Sequence, residues 1–295
     1  MTPLLLVVSD QRWQDQVDLV APHLGRPATV WPMGRFRRGV WDFLALWEFR
    51  KALAAHRPGD IVALGESATR MVSRVGVGLK LPRVFAVGAG SPPKEFRSME
   101  WPWAAPLALS PLSRAEVLAR YALPPTAFVF ATASRFETKA EAKTPIWGHE
   151  IFRYAFPDMC LLIHGDGPAR REAEIFADQM APEGTRVCFA GTDVPIVGLF
   201  GVADAVIAMN EESLTAGLAA GKPIIAMTRL QRLTAGADDA VMWVDPTAPA
   251  KVSGAMMKLM TDAALRGRLA AATGPLRDRH APAVVAGDVR AALGR

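Results

Sequence analysis

The stretch AVIAMNEESLTAGLAAGKPIIAM, Ala205–Met227, decides the fold. Ala205–Ala208 is a short apolar run with β-branched residues, the pattern of a buried strand. Met209–Glu212 breaks it. Ser213–Ala220 then reads as a helix, which Gly221-Lys222-Pro223 stops. Pro223–Met227 is apolar again and reads as a second strand. A strand, a helix and a strand at this spacing make a crossover unit, in which the two strands run parallel.

The same rhythm extends in both directions. Upstream, strands are expected at Phe128–Ala133, Met159–His164 and Arg186–Ala190. Helices are expected at Trp147–Ala155, Ala169–Gln179 and Val197–Phe200. Downstream come a short strand at Met242–Val244, helices at Lys251–Thr261 and Ala263–Ala271, a break at Gly274-Pro275, and a last helix at Pro282–Leu293. The N-terminal part alternates likewise: strands at Leu4–Val8, Ala28–Trp31, Ile61–Leu64 and Arg83–Val87, helices at Asp15–Leu24, Trp41–Ala55 and Glu66–Val75. Residues 88–106, with Gly88-Ala89-Gly90-Ser91-Pro92-Pro93 and Trp101-Pro102-Trp103, break any regular element. They put a domain boundary near Ala105–Ser110. A helix at Ser113–Tyr121 follows, with Ser113 and Glu116 spaced as a capping box. The expected class is α/β: two Rossmann-like doubly wound domains facing a cleft, at residues 1–108 and 109–281. Helix 282–295 is placed to pack back on the first.

Composition agrees. The 295 residues are 51% hydrophobic and 21% charged, which excludes a mostly disordered or fibrous chain. No apolar run approaches the roughly 20 residues of a bilayer-spanning helix. The start, Met1–Asp10, lacks a basic region and reads as a first strand rather than a signal peptide. Cys160 and Cys188 sit in apolar runs without metal-like spacing and read as buried free thiols. The expected location is the cytoplasm. A net charge of +5, from 34 Lys and Arg against 29 Asp and Glu, is too small to argue for nucleic acid. It suits an anionic small ligand or an anionic membrane face.

Three loops in the second half carry candidate chemistry, and all follow expected strands, where open parallel sheets bind ligands. Ser134-Arg135-Phe136-Glu137-Thr138-Lys139 offers Arg135 and Lys139 to a phosphate, the first as a two-pronged donor and the second as a point charge. The alternative is a solvated loop pairing them with Glu137 and Glu141. His164-Gly165-Asp166-Gly167-Pro168-Ala169-Arg170 offers two glycines for close backbone approach and a helix start; the alternative is a plain turn, with His164 structural. Asn210-Glu211-Glu212-Ser213-Leu214-Thr215 offers hydroxyls and backbone N–H groups at a helix amino end, with carboxylates able to accept from sugar hydroxyls. The alternative is a capped helix whose acids complement its dipole.

In order and spacing, residues of about 107–271 resemble the donor-binding domain of GT-B glycosyltransferases, in particular the large retaining family that uses nucleotide-sugars. The matching positions are Ser134-Arg135 with Lys139, Gly165-Asp166-Gly167-Pro168 before Arg170, Phe189-Ala190-Gly191, Ala203-Asp204, and Ala219-Ala220-Gly221-Lys222-Pro223-Ile224-Ile225. The resemblance implies transfer of a sugar from a nucleoside diphosphate sugar to a saccharide or lipid-linked acceptor, without a metal or other cofactor. It implies that Arg135 and Lys139 neutralise the donor diphosphate, and that Thr215 and the N–H groups after it hold the distal phosphate. Gly165, Gly167, Gly191, Thr192, Asn210, Glu211, Ser213 and Leu214 would line the donor, with Gly191–Val194 beside the base.

Three departures qualify it. The glutamate that holds the ribose in that family falls at Ala216, the other is replaced by Glu211 or Glu212, and Ser9-Asp10-Gln11-Arg12 stands where a glycine-rich loop is usual. A non-catalytic module of the same fold that binds a nucleotide, sugar or protein partner, or a sugar-nucleotide epimerase, are the alternatives. In the first domain Glu66 or Ser67 could touch an acceptor hydroxyl, or simply start a helix. The Arg35–Trp47 region, with Arg35, Arg37 and Arg38 before tryptophans, is a candidate peripheral contact with the inner membrane face; the alternative packs those tryptophans in the core.

Overall fold

A computed structural model describes residues 2–33, 40–77, 79–106, 113–138, 140–181, 184, 186–234, 238–245 and 247–294. Within these, the side chains of residues 40–43, 140–141 and 238 are left undescribed. Contacts divide the chain into Met1–Ala104 with Pro282–Arg295, and Ala105–Ala281.

The first unit holds strands β1 (Leu4–Val8), β2 (Ala28–Pro32), β3 (Asp60–Leu64), β4 (Arg83–Val87) and β5 (Arg97–Ser98). They form one sheet in the order β2-β1-β3-β4-β5, all parallel. Strands β1 and β3 are buried along their whole length, as expected where helices cover both faces. The covering helices are α1 (Gln11–Val20), α2 (Val40–His56), α3 (Glu66–Gly76) and α11 (Pro282–Gly294). Arg290 of α11 donates to the His23 carbonyl. Asp60, fully buried at the start of β3, accepts from Arg26 and Arg83 at 2.9 and 2.8 Å. Such pairing makes a buried carboxylate tolerable.

The second unit holds β6 (Phe128–Ala133), β7 (Met159–His164), β8 (Val187–Gly191), β9 (Ala205–Ala208), β10 (Ile224–Met227) and β11 (Val241–Val244). Their order is β11-β10-β9-β6-β7-β8, again all parallel. Its helices are α4 (Arg114–Arg120), α5 (Ala140–Phe152), α6 (Arg170–Met180), α7 (Ile196–Val202), α8 (Glu211–Ala219), α9 (Pro249–Thr261) and α10 (Ala263–Arg279). Ser113 caps α4 by accepting from the Glu116 N–H at 3.4 Å.

Several boundaries differ from the sequence reading. Helix α1 runs over Gln11–Val20, not Asp15–Leu24, because Asp10 caps it by accepting from the Trp13 N–H at 3.3 Å. The stretch 88–106, expected to hold no regular element, contributes β5, which pairs with β4. Helix α5 begins at Ala140, not at Trp147, and runs through Pro145. Ala142, Pro145, Ile146 and His149 are buried at helical spacing, so core packing outweighs the lost backbone bond. Helix α10 likewise continues through Gly274 and Pro275, because Leu269, Thr273 and Leu276 are buried on both sides of the proline. Helix α8 begins at Glu211 and not at Ser213, because Asn210 is its cap.

Candidate functional site

In each sheet the chain leaves the first strand on one side and later returns to its other side. In the second unit it winds out from β6 to β7 and β8, then crosses back to β9 on the opposite flank of β6. The loops after β6 and β9 therefore diverge and leave a crevice at the carboxyl ends of the strands, where open α/β sheets bind ligands. The crevice after β6 and β9 is occupied by the loops that the sequence singled out.

Arg135 follows β6, and Glu212 lies in the first turn of α8 after β9. The Arg135 Nε and Nη2 both donate to Glu212 Oε2, at 3.2 and 2.7 Å, and each side chain is about one-third exposed. Asn210 caps α8: its Oδ1 accepts from the Ser213 N–H at 2.8 Å, and the Ser213 hydroxyl accepts from the Asn210 N–H at 3.1 Å. The Ser213 hydroxyl also donates back to Asn210. The Thr215 hydroxyl donates to the Glu211 and Glu212 carbonyls at 3.0 and 3.2 Å. Both hydroxyls are buried and committed to the helix end, and the apolar side chains of Leu214 and Ala216 are buried in the core. The groups of this loop that face outward are the two glutamates.

Two more guanidiniums reach the same loop from the 3-10 helix Thr228–Thr234 after β10. Arg229 donates to the Met209 carbonyl, and Arg232 lies 3.0 Å from Glu211. Arg135, Arg229 and Arg232 thus surround a loop bearing two carboxylates, at a helix amino end that adds its own partial positive charge. Sequence reasoning missed Arg229 and Arg232, although Thr228-Arg229-Leu230-Gln231-Arg232 directly follows an expected strand. Lys139 lies outside the described residues.

The glycines of the β7 loop have a definite task. A Cβ on Gly165 would overlap the Ser134 carbonyl, and one on Gly167 the Arg135 carbonyl. Gly165 also sits at φ +119. The two loops press together, backbone on backbone: Ser134 N–H donates to His164 at 2.9 Å and Ala169 N–H to Phe136 at 2.8 Å, while Gly165 N–H ties the β7 loop to Gly191 at the end of β8 at 2.8 Å. Phe136, fully buried at φ +49, anchors the β6 loop. The glycine pair therefore fixes the backbone from which Arg135 projects. Gly191, at φ +66, ends β8; Thr192 and Asp193 beyond it are exposed. Arg170 ties this end down through Glu174 at 3.0 Å and the Phe189 carbonyl at 3.2 Å.

His164 closes β7 and its Nε2 lies 3.0 Å from the Val194 carbonyl. Burial pushes its pKa below the ordinary value; the Glu212 charge and the Val194 carbonyl oppose the shift without cancelling it. A neutral ring that donates from Nε2 is the result.

In the first unit the corresponding crevice lies between β1 and β3. Trp13, in α1 just after β1, lies against the ends of β3 and β4: a Cβ on Gly65 or Gly88 would lie 3.1 Å from its indole. Trp103 stacks on Trp13 at 5.3 Å, and the Arg12 guanidinium lies over both rings. Glu66 is exposed at the amino end of α3 and pairs with Arg70. With Arg74 and Ala89–Ser91 they line a cavity of about 490 Å³. Ser67 is exposed beside it. Among the described residues no group of three or more His, Cys, Asp or Glu is arranged to hold a metal.

Comparison of the whole chain with solved structures gives matches over nearly its full length. A glycosyltransferase from Rickettsia africae superposes with a TM-score of 0.76 at 11% identity, covering 98% of this chain and 96% of that one. HepE of Anabaena, solved with UDP and glucose, gives 0.74 at 12% identity and covers 100% of both chains. The fold is GT-B. A protein from Listeria monocytogenes described as a candidate UDP-N-acetylglucosamine 2-epimerase shares it, with a TM-score of 0.67 at 10% identity, covering 99% and 95%. No family model matches the sequence, and no curated protein matches it. The GT-B likeness is thus carried by backbone geometry, which persists where sequence identity has fallen this low.

Proposed function

We propose that the protein moves a sugar from a nucleoside diphosphate sugar to a saccharide or lipid-linked acceptor. The observation that carries this reading is the Arg135–Glu212 pair at the β6/β9 crevice, beside the capped amino end of α8. As the bond between the anomeric carbon and the diphosphate oxygen breaks, negative charge grows on the leaving diphosphate. Arg135 lies at the strand end where that charge would develop, and the α8 dipole adds to it. Glu212 meanwhile holds the guanidinium in place and is suited to accept a hydrogen bond from a sugar hydroxyl. Lys139 is assigned to the same diphosphate by the sequence resemblance. The first unit would bring the acceptor, with Glu66 and Ser67 as the groups to reach its hydroxyl.

A second reading, a nucleotide-binding module without turnover, is favoured by one feature. The hydroxyls of Ser213 and Thr215 are consumed by the helix end, and buried Ala216 stands where the resemblance would put a ribose-binding glutamate. Incubation with UDP- and GDP-sugars, following release of free sugar and nucleoside diphosphate, distinguishes the two. Slow hydrolysis of one donor supports the transferase. Tight binding without any release supports the module.

A further inference from the structure

The first unit carries a surface that takes no part in the site above. Helix α2 and the segment after α3 form a groove of about 550 Å³ lined by the apolar Leu53, Leu79 and Leu81 and by Arg50, Arg57 and Lys80. Its floor is apolar, its charged lining residues are all cations, and no acidic residue lines it. The Arg50 guanidinium reaches the Val77 carbonyl at 3.4 Å and joins the two walls.

The apolar surface continues beyond the groove. Leu44, Trp47, Lys51 and Ala54 are exposed and follow one another at three- and four-residue steps, so they form one stripe of α2. Trp47 is half exposed, with the Lys51 ammonium 3.5 Å from its ring centre. Val77 is three-quarters exposed and Leu79 nearly half. The exposed Glu48 adjoins the stripe, four residues after Leu44 and three before Lys51, and Glu95 lines a neighbouring cavity that shares Leu79, Leu81 and Pro82 with the groove. The cations Arg50, Lys51, Arg57 and Lys80 outnumber these two carboxylates. Arg35, Arg37 and Arg38 precede α2 in the sequence and lie outside the described residues.

Large apolar side chains exposed beside cations, with a tryptophan under an ammonium, match the layered chemistry of an anionic bilayer surface. Apolar groups enter the acyl boundary, indole sits at the headgroups, and Lys and Arg meet the phosphates. We propose that the first unit docks on an anionic lipid bilayer through the α2 stripe together with Val77 and Leu79–Pro82. Charge complementarity selects this occupant: Arg50, Lys51, Arg57 and Lys80 are drawn to a surface of net negative charge, which a zwitterionic membrane does not offer. The proposal does not depend on the sugar-transfer reading.

Co-sedimentation of the full chain with vesicles tests it. Vesicles of phosphatidylcholine and phosphatidylglycerol should retain the protein, vesicles of phosphatidylcholine alone should not, and added salt should release it. Each cation near an anionic surface is worth about fivefold in partitioning, so Arg57→Gln with Lys80→Gln should lower retention about 25-fold. Trp47→Ser with Leu79→Ser should lower retention without altering its salt dependence. Both variants should melt as the parent does and titrate with UDP as the parent does, which separates this outcome from any result on the donor site. Equal retention on both vesicle types, retention on neither, unchanged retention of the variants, or self-association through this face without vesicle binding would overturn it.

Discussion

Gly165→Ala probes the frame that holds Arg135. Two costs follow from the geometry. First, φ at this position is +119, outside the conformations an L-residue with a side chain adopts readily, a strain of roughly 1–3 kcal/mol. Second, the new Cβ would overlap the Ser134 carbonyl, which belongs to backbone and cannot rotate away. The β6 and β7 loops must part, which weakens the Ser134–His164 and Ala169–Phe136 backbone bonds, each worth about 1 kcal/mol. The sum is about 3–5 kcal/mol, or a fall in melting temperature of roughly 6–20 °C for a unit of this size. Gly221→Ala is the control. Gly221 has φ +64 but open space around the would-be Cβ, so only a conformational cost of about 1–2 kcal/mol applies. Chemical denaturation of both variants measures the difference. Equal destabilisation by the two would refute the claim that loop-on-loop packing requires Gly165.

Further expectations concern titration and thiol chemistry. The His164 pKa is lowered in the folded protein by burial, so the unfolded chain binds the proton more tightly. Its contribution is therefore intact above the unfolded value of about 6.5 and is lost as pH falls below it toward the folded value. His164→Gln should remove that part of the pH dependence, as read from denaturation midpoints between pH 8 and 5. Burial pushes the Cys188 thiol up to about 11, with Cys160 beside it adding to the shift, and burial raises Cys160 as well. At pH 8 iodoacetamide should modify Cys188 about 100-fold more slowly in the folded protein than in urea, since the thiolate reacts. Cys160 is fully buried as expected, whereas Cys188 is half-buried; similar rates in the folded protein and in urea would contradict the shielding of Cys188.

The strands were the most legible part of the fold. Runs such as Leu4–Val8 and Met159–His164 are short, apolar and buried on both faces, and their ends could be read almost to the residue. A proline misled where tertiary packing won: Gly274-Pro275 reads as a break, but Pro275 lies in a helix whose buried side chains continue past it. Pro145 likewise lies inside α5, which starts ahead of the expected Trp147. At α8 Asn210 and Ser213 form a reciprocal capping box, so the helix starts at Glu211; a start at Ser213 leaves out the turn that Asn210 caps. The site residues Arg135 and Glu212 could be singled out because each follows a strand. Their pairing could not, since it depends on β6 and β9 being neighbours, a property of strand order. The same holds for Arg229 and Arg232, which belong to the site only because β10 lies beside β9. Gly165-x-Gly167 reads equally as a ligand cradle or a tight turn; its loop-packing task appears only when the Ser134 and Arg135 carbonyls are seen against it.

Calorimetric titration with UDP and GDP of the parent chain and of Arg135→Ala bears most directly on the proposed donor site. A charge-assisted contact of about 1.5–3 kcal/mol should be lost, so affinity for the nucleoside diphosphate should fall roughly 10- to 150-fold while the melting curve is retained. Unchanged affinity in the folded variant, or no binding of either nucleotide to the parent, would contradict a diphosphate seat at the β6/β9 crevice.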